Sequence, residues 1–290
     1  FSFVAWNSAT AVKTLLPAAY TFHGVGKEAA TMLVIPVRGP ISGHPLDQAD
    51  TPTIASMFSG GGSNTVIAVQ RALNEASLIK DLAEVIFFFE SGGGTVSASD
   101  EIYSMIKFWK AEHRSVSVSA YLYSVTASGA LYDAMAADTI VSHGTTVVGS
   151  IGVILQQLNI SEIAKVLGIK QTTIKSGELK DIGNMFRDMT EKEVSILQSI
   201  VKQSHERFID VIAEGRQLLT RSKIEEIADG RVFTAKDALT LGLIDHLSPT
   251  WDSFLLDRAK KIMAKQPSIG TLRVSYPSST KASIDVKVKQ

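Results

Sequence analysis

Apolar residues along the chain fall into short runs separated by stretches of helical spacing. Thr31 to Val37 (TMLVIPV) is β-rich and is halted by Gly39-Pro40, while Val85 to Phe89 (VIFFF) is apolar at every position and ends in glycines. A strand without polar positions has both faces covered, so the second run predicts a buried central strand. Between the two, Val66, Val69, Leu73 and Ala76 share one helical face behind Asn64, a residue type that caps helix N-termini. Ile102, Met105, Ile106 and Trp109 repeat the helical spacing, and Val116 to Ala120 alternates apolar residues with serine as a third strand. This repeated βαβ rhythm predicts an α/β fold in which helices cover a parallel sheet.

Helical signals dominate the second half. Thr190 and Glu193 form a capping box before Val194, Leu197, Val201, Phe208 and Val211. Ser222 with Glu225 predicts a short helix closed near Gly230, and Thr234 with Asp237 one closed near Gly242. No Pro-, Gly- or Ser-rich linker divides the chain, which reads as one α/β domain with a helical C-terminal half. Ser42 to Asn64 and the tail from Gln266 onward are expected to be flexible. Within the tail, Ser283 to Lys289 alternates as an edge strand does, or as a segment laid along a substrate groove.

Composition narrows the function classes. In 290 residues, 45% hydrophobic and 20% charged content suits a packed core rather than disorder. Lys+Arg and Asp+Glu balance at 29 each, so no overall charge draws the chain to nucleic acid or anionic lipid. With no cysteine there is no disulfide, thiolate metal site or cysteine nucleophile. Asn7, Lys13 and Pro17 interrupt the apolar opening well short of the roughly 20 residues a membrane span needs. Because the chain opens on Phe1 rather than Met, a removed upstream segment, with membrane association through it, is an expectation.

Two constellations could carry chemistry. Glu90-Ser91-Gly92-Gly93-Gly94 ends the buried strand, at the sheet edge where open α/β folds bind ligands, and its glycine N–H groups suit a phosphate or an oxyanion. The absence of a following Gly-Lys-Ser/Thr weakens the phosphate reading. Thr126-Ala127-Ser128-Gly129-Ala130 follows the third strand. Ser128 there is a helix cap or, between small neighbours that permit access, a nucleophile. A nucleophile needs a base. Of the six histidines, His143 in the His143-Gly144 turn is the least unsuitable, and Lys175 or Lys180 could serve if its amine were neutral.

Taken together, the glycine turn, Thr126-Ala127-Ser128-Gly129, Val148-Gly149-Ser150-Ile151-Gly152-Val153, Lys175 to Asp181, Ala228 to Thr234 and Gly242 to Asp245 resemble the signal peptide peptidase A family of serine proteases from about Thr31 to Leu247. The resemblance implies a Clp protease/crotonase-like fold, with residues 1–30 as an N-terminal segment, 31–247 as the peptidase domain and 248–290 as a C-terminal helix and tail. It makes Ser128 the nucleophile, Lys180 the base and Ser150 the hydroxyl orienting the lysine, with Gly93, Gly94 and Gly129 as oxyanion donors and no cofactor or metal. It further implies a ring-shaped homo-oligomer whose sites are shared between subunits, and cleavage of extended apolar peptides such as remnant signal peptides. The setting implied is a bacterial membrane or envelope, with an extracytoplasmic catalytic domain. A phage-type capsid or scaffold protease shares the layout. The pattern also leaves open a crotonase-like acyl-CoA enzyme and an inactive interaction ring. Glu90 and Gly92 depart from the family's Asn-Ser-Pro-Gly-Gly, and Ala130 from a second glycine.

Overall fold

Leu33, Ile35 and Val37 project to one side of a long strand and Met32 and Val34 to the other, and all five are buried. The computed structural model describes residues 19–43, 64–277 and 283–285. In it, β1 (Ala19–His23), β2 (Glu28–Arg38), β3 (Leu82–Ser91), β4 (Ser117–Ala127) and β5 (Thr139–His143) enter a sheet whose main path runs β10-β1-β9-β2-β3-β4-β5-β8. Here β8 is His246–Ser248, β9 Ile269–Ser275 and β10 Ser283–Asp285. The pairs β2–β3, β3–β4 and β4–β5 are all parallel, as the βαβ pattern required.

One face carries α1 (Thr65–Leu78), α2 (Val96–Glu112), α3 (Gly129–Ala134) and α5 (Glu191–Gly215), where Val69, Leu73, Ile102, Ile106 and Ile212 meet Ile35, Phe87 and Phe89. The other is covered by α8 (Trp251–Lys265), whose Phe254, Leu255, Ala259 and Ile262 pack on Met32, Val34, Ile86 and Tyr121. Covering on both sides explains why VIFFF has no polar member. Asn64 caps α1 by accepting from Ile67 N, and the Thr190–Glu193 capping box opens α5.

Two expectations change. The short helix α6 (Arg221–Ile227) is capped by Thr220, not Ser222, since the Thr220 hydroxyl accepts from Lys223 N. The tail beyond Gln266 is not loose throughout: β9 inserts between β1 and β2, with Leu272 and Val274 fully buried. Strands from both flanks thus share the sheet of residues 31–247. At its margin, β10 pairs with β1 from Ala19↔Ser283 to Thr21↔Asp285, an edge-strand position. Residues 44–63, most of the expected flexible segment, and 286–290 lie outside the described residues.

Candidate active site

Strands β3 and β4 run side by side and end at the same edge of the sheet, which brings the glycine turn against the Ser128 turn. The first half of β4 pairs with β5 and its second half with β6 (Val147–Gly149). This switch lets β4 continue to Ala127, seven residues beyond the strand legible in the sequence. Tyr123, Ser124 and Val125 are exposed there, so their hydrophobic pattern is lost. Thr126 anchors the end by donating its hydroxyl to Phe89 O at 3.0 Å.

Ser128 stands between β4 and α3 with φ 52° and ψ −125°, a conformation costly for any residue with a Cβ, of order 1–3 kcal/mol. Its N–H donates to Gly149 O at 2.8 Å, while its side chain makes no capping hydrogen bond. The cap reading is therefore set aside. Ser128 lines a small cavity at a sharp strand-to-helix bend, the kind of turn that presents a nucleophilic serine. Ser150 sits one residue beyond the Ala127↔Gly149 pair, also at positive φ (53°), and its N–H donates to Arg231 O at 2.7 Å. The fold thus brings Ser128 and Ser150 to neighbouring places.

The three glycines differ in what their N–H groups do. That of Gly93 donates to Ser91 Oγ at 3.0 Å. The bridge to Ile41 uses Gly93 O and Thr95 N and passes over Gly94 N. Gly129 is the first residue of α3, where an N–H has no intrahelical acceptor. A Cβ on Gly93 would stand 2.6 Å from Gly129 N, and one on Gly94 would overlap Ile41 O, so backbone packing excludes any side chain at either position. The departures from the family turn are accommodated: Glu90 pairs with Arg38 at 3.3 Å, and a Cβ on Gly92 would meet nothing within 4 Å.

The candidate bases separate. His143 lies at the end of β5, bonded to Thr145 and stacked edge-on to Tyr123, in an aromatic pocket with Phe88, Trp251 and Tyr276 rather than at Ser128. Lys175 is held by Asp181 at 2.6 Å and by Glu178 O. Lys180 is exposed, on an irregular segment between α4 (Ser161–Val166) and α5, and does not line the cavity at Ser128. That segment is pinned by Arg187, which bridges Asp181 at 3.0 Å and the buried Glu193 at 2.5 Å. Those hydrogen bonds hold Glu193 down to about 2 and Asp181 below the usual carboxylate range. Sequence reasoning missed this clamp, because Glu193 was legible only as half of a capping box. It also missed Ser99, whose buried hydroxyl lines the cavity beside Ser128.

The profile of peptidase family S49 matches residues 110–265, from the end of α2 through α8. The chain belongs to this family, that of signal peptide peptidase A. A candidate protease of Synechocystis sp. is 37% identical over 191 residues, 66% of this chain and 67% of that one. A candidate signal peptide peptidase SppA of Enterococcus faecium is 33% identical, over 59% of this chain and 48% of its own length. A chloroplastic serine protease of Arabidopsis thaliana is 30% identical over 69% of this chain and 29% of its own. The chain thus spans between about two thirds and under a third of these relatives. Among solved structures, ClpP1 of Listeria monocytogenes is similar at 17% identity and a TM-score of 0.47, covering 76% of this chain and 93% of that one. S49 membership assigns the chain to a family of peptidases and leaves the acyl-CoA reading without support. Among the described residues no helix is long and apolar enough to cross a membrane, and no cluster of ligating side chains could hold a metal ion.

Proposed function

We propose that this peptidase is a serine endopeptidase in which Ser128 attacks the substrate carbonyl and Lys180 of an adjoining copy is the base. The observation that carries this is the strained, uncapped Ser128 beside the glycine turn. The Lys180 amine takes the proton from Ser128 Oγ as that oxygen bonds to the carbonyl carbon. The protonated amine then supplies a proton to the departing peptide nitrogen, leaving an ester on Ser128. Water, deprotonated by the same amine, hydrolyses the ester. Ser150 orients the amine. The N–H groups of Gly94 and Gly129 stabilise the oxyanion, with Gly93 shaping the turn because its own N–H is engaged by Ser91.

The shared site is supported by the segment that carries Lys180. Between β6 and the part of that segment bearing Lys180, Ile154, Leu158, Ile163, Val166, Leu167 and Ile174 are exposed, apolar side chains that another copy would cover in a ring. Apolar, extended peptides such as remnant signal peptides are the proposed substrates, a class suggested by the name of the Enterococcus relative, and the bacterial envelope is the proposed setting. Labelling with a fluorophosphonate and mapping the modified peptide tests the nucleophile: modification at Ser128, with cleavage lost in Ser128→Ala, is expected, and cleavage by that variant at the wild-type rate refutes it. Mixing Ser128→Ala with Lys180→Ala subunits tests the sharing. Partial recovery is expected, and none in verified mixed oligomers places the dyad within one chain.

A further inference from the structure

Ser99 occupies the first turns of α2, 3% exposed, with no hydrogen-bond partner for its hydroxyl among the described residues. An unpaired buried hydroxyl is unfavourable and calls for a reason. This one faces the site: a Cβ on Gly129 would overlap Ser99 Oγ and stand 3.2 Å from Gly94 N, so the hydroxyl lies against the backbone next to Ser128 and close to the proposed oxyanion donors. The cavity that Ser99 lines opens at Ser128 and measures about 30 Å³, with walls of Val96, Tyr132, Val153 and Phe208.

Two of those walls, Tyr132 and Phe208, cannot readily retreat. Tyr132 is hydrogen-bonded to Asp100, its ring meets Phe208 at 5.1 Å and Tyr103 at 5.4 Å, and Phe208 is itself buried. A water-sized group needs ~10–15 Å³ of such space, so the cavity takes about two non-hydrogen atoms. A methyl group fits, or a CH₂ with one oxygen; a branched or aromatic side chain does not.

We infer that this cavity receives the side chain of the residue whose carbonyl Ser128 attacks, that it selects serine and alanine there, and that Ser99 is the hydrogen-bonding partner of the serine. The inference rests on Ser128 being the nucleophile and adds the substrate class. Ser99 is a specificity-determining residue in this scheme, idle when alanine is bound and paired when serine is.

The test uses the assembled full chain, a peptide series varied only at that residue, and peptidyl diphenyl phosphonates bearing the same side chains. Wild type should favour serine and alanine over leucine and phenylalanine in kcat/KM by about a hundredfold. Ser99→Ala should lower the serine-to-alanine preference by about tenfold without lowering thermal stability, since the hydroxyl it removes has no partner in the free protein. Val153→Ala should bring leucine to within about tenfold of alanine. Leucine or phenylalanine handled as well as alanine by wild type, or an unchanged serine-to-alanine ratio in Ser99→Ala, overturns the inference. Phosphonates that modify Ser128 in the reverse order overturn it alone, whereas no modification of Ser128 by any of them overturns the nucleophile as well.

Discussion

The left-handed φ of Ser128 sets stability against the proposed catalytic role at a single residue. Glycine tolerates that conformation and alanine does not, so Ser128→Gly should raise the midpoint of thermal unfolding by the equivalent of about 1 kcal/mol or more, while Ser128→Ala should not. Calorimetry of the two inactive variants beside wild type checks this; equal midpoints in the glycine variant and wild type would show that the turn is unstrained. The glycine turn makes a second contrast. Gly94→Ala forces a Cβ into Ile41 O and should abolish cleavage, whereas Gly92→Ala meets open space and should be neutral or stabilising by about 0.4–1 kcal/mol. Asp133, on α3, is fully buried with neither carboxylate oxygen paired among the described residues, and burial raises its pKa well above the ordinary aspartate value, with Asp100 adding to it. The unfolded chain releases this proton near pH 3.9 while the folded chain retains it, so stability is lost as pH rises from about 4 through the folded pKa. Asp133→Leu should flatten that decline and be more stable at pH 8 by about 1–3 kcal/mol, as urea titrations across pH can establish.

At the level of elements, two charged ties hold pieces that hydrophobic patterning alone leaves undefined. Arg258 of α8 reaches Glu84 of β3 at 2.8 Å, with Ser119 of β4 donating to the same carboxylate oxygen at 2.5 Å. Glu84 is wholly buried, so Arg258→Met leaves its carboxylate uncompensated and should cost about 3–5 kcal/mol, measurable by chemical denaturation. The second tie is the Arg187 clamp on the segment bearing Lys180. Glu193 and Asp181 have depressed pKa values, so the stability they contribute is present above their unfolded values near 4 and is lost as pH falls toward 2. Arg187→Gln should accordingly make residues 170–190 more susceptible to limited proteolysis at neutral pH, as acidification should in wild type. It should lower kcat while fluorophosphonate labelling of Ser128 persists. Unaltered proteolysis would mean that the clamp does not hold the segment.

Over the whole molecule, the layers and the candidate site residues are legible in the sequence. Continuous apolar runs, three-four spacing and cap residues encode local preferences, and they were enough to read β2, α1, β3 and α2 and to single out Ser128, the glycine turn and two candidate lysines. What it could not encode locally was decided by tertiary contact. The second half of β4 shows no alternation because its partner, β6, arrives from 20 residues downstream, and that pairing carries Ser128 to the sheet edge. The insertion of β9 between β1 and β2 depends on strands almost 250 residues apart in the chain. Lys175 and Lys180 carry the same charge in the same segment, and folding alone distinguishes them by placing Asp181 against the first. Ser99 reads as one polar position on an amphipathic helix until packing buries its hydroxyl beside Gly129. Strain, burial and the company of distant residues are properties of the folded chain; Ser124 and Ser150 share the positive φ, and the glycine turn and the Ser99 cavity are what set Ser128 apart from them.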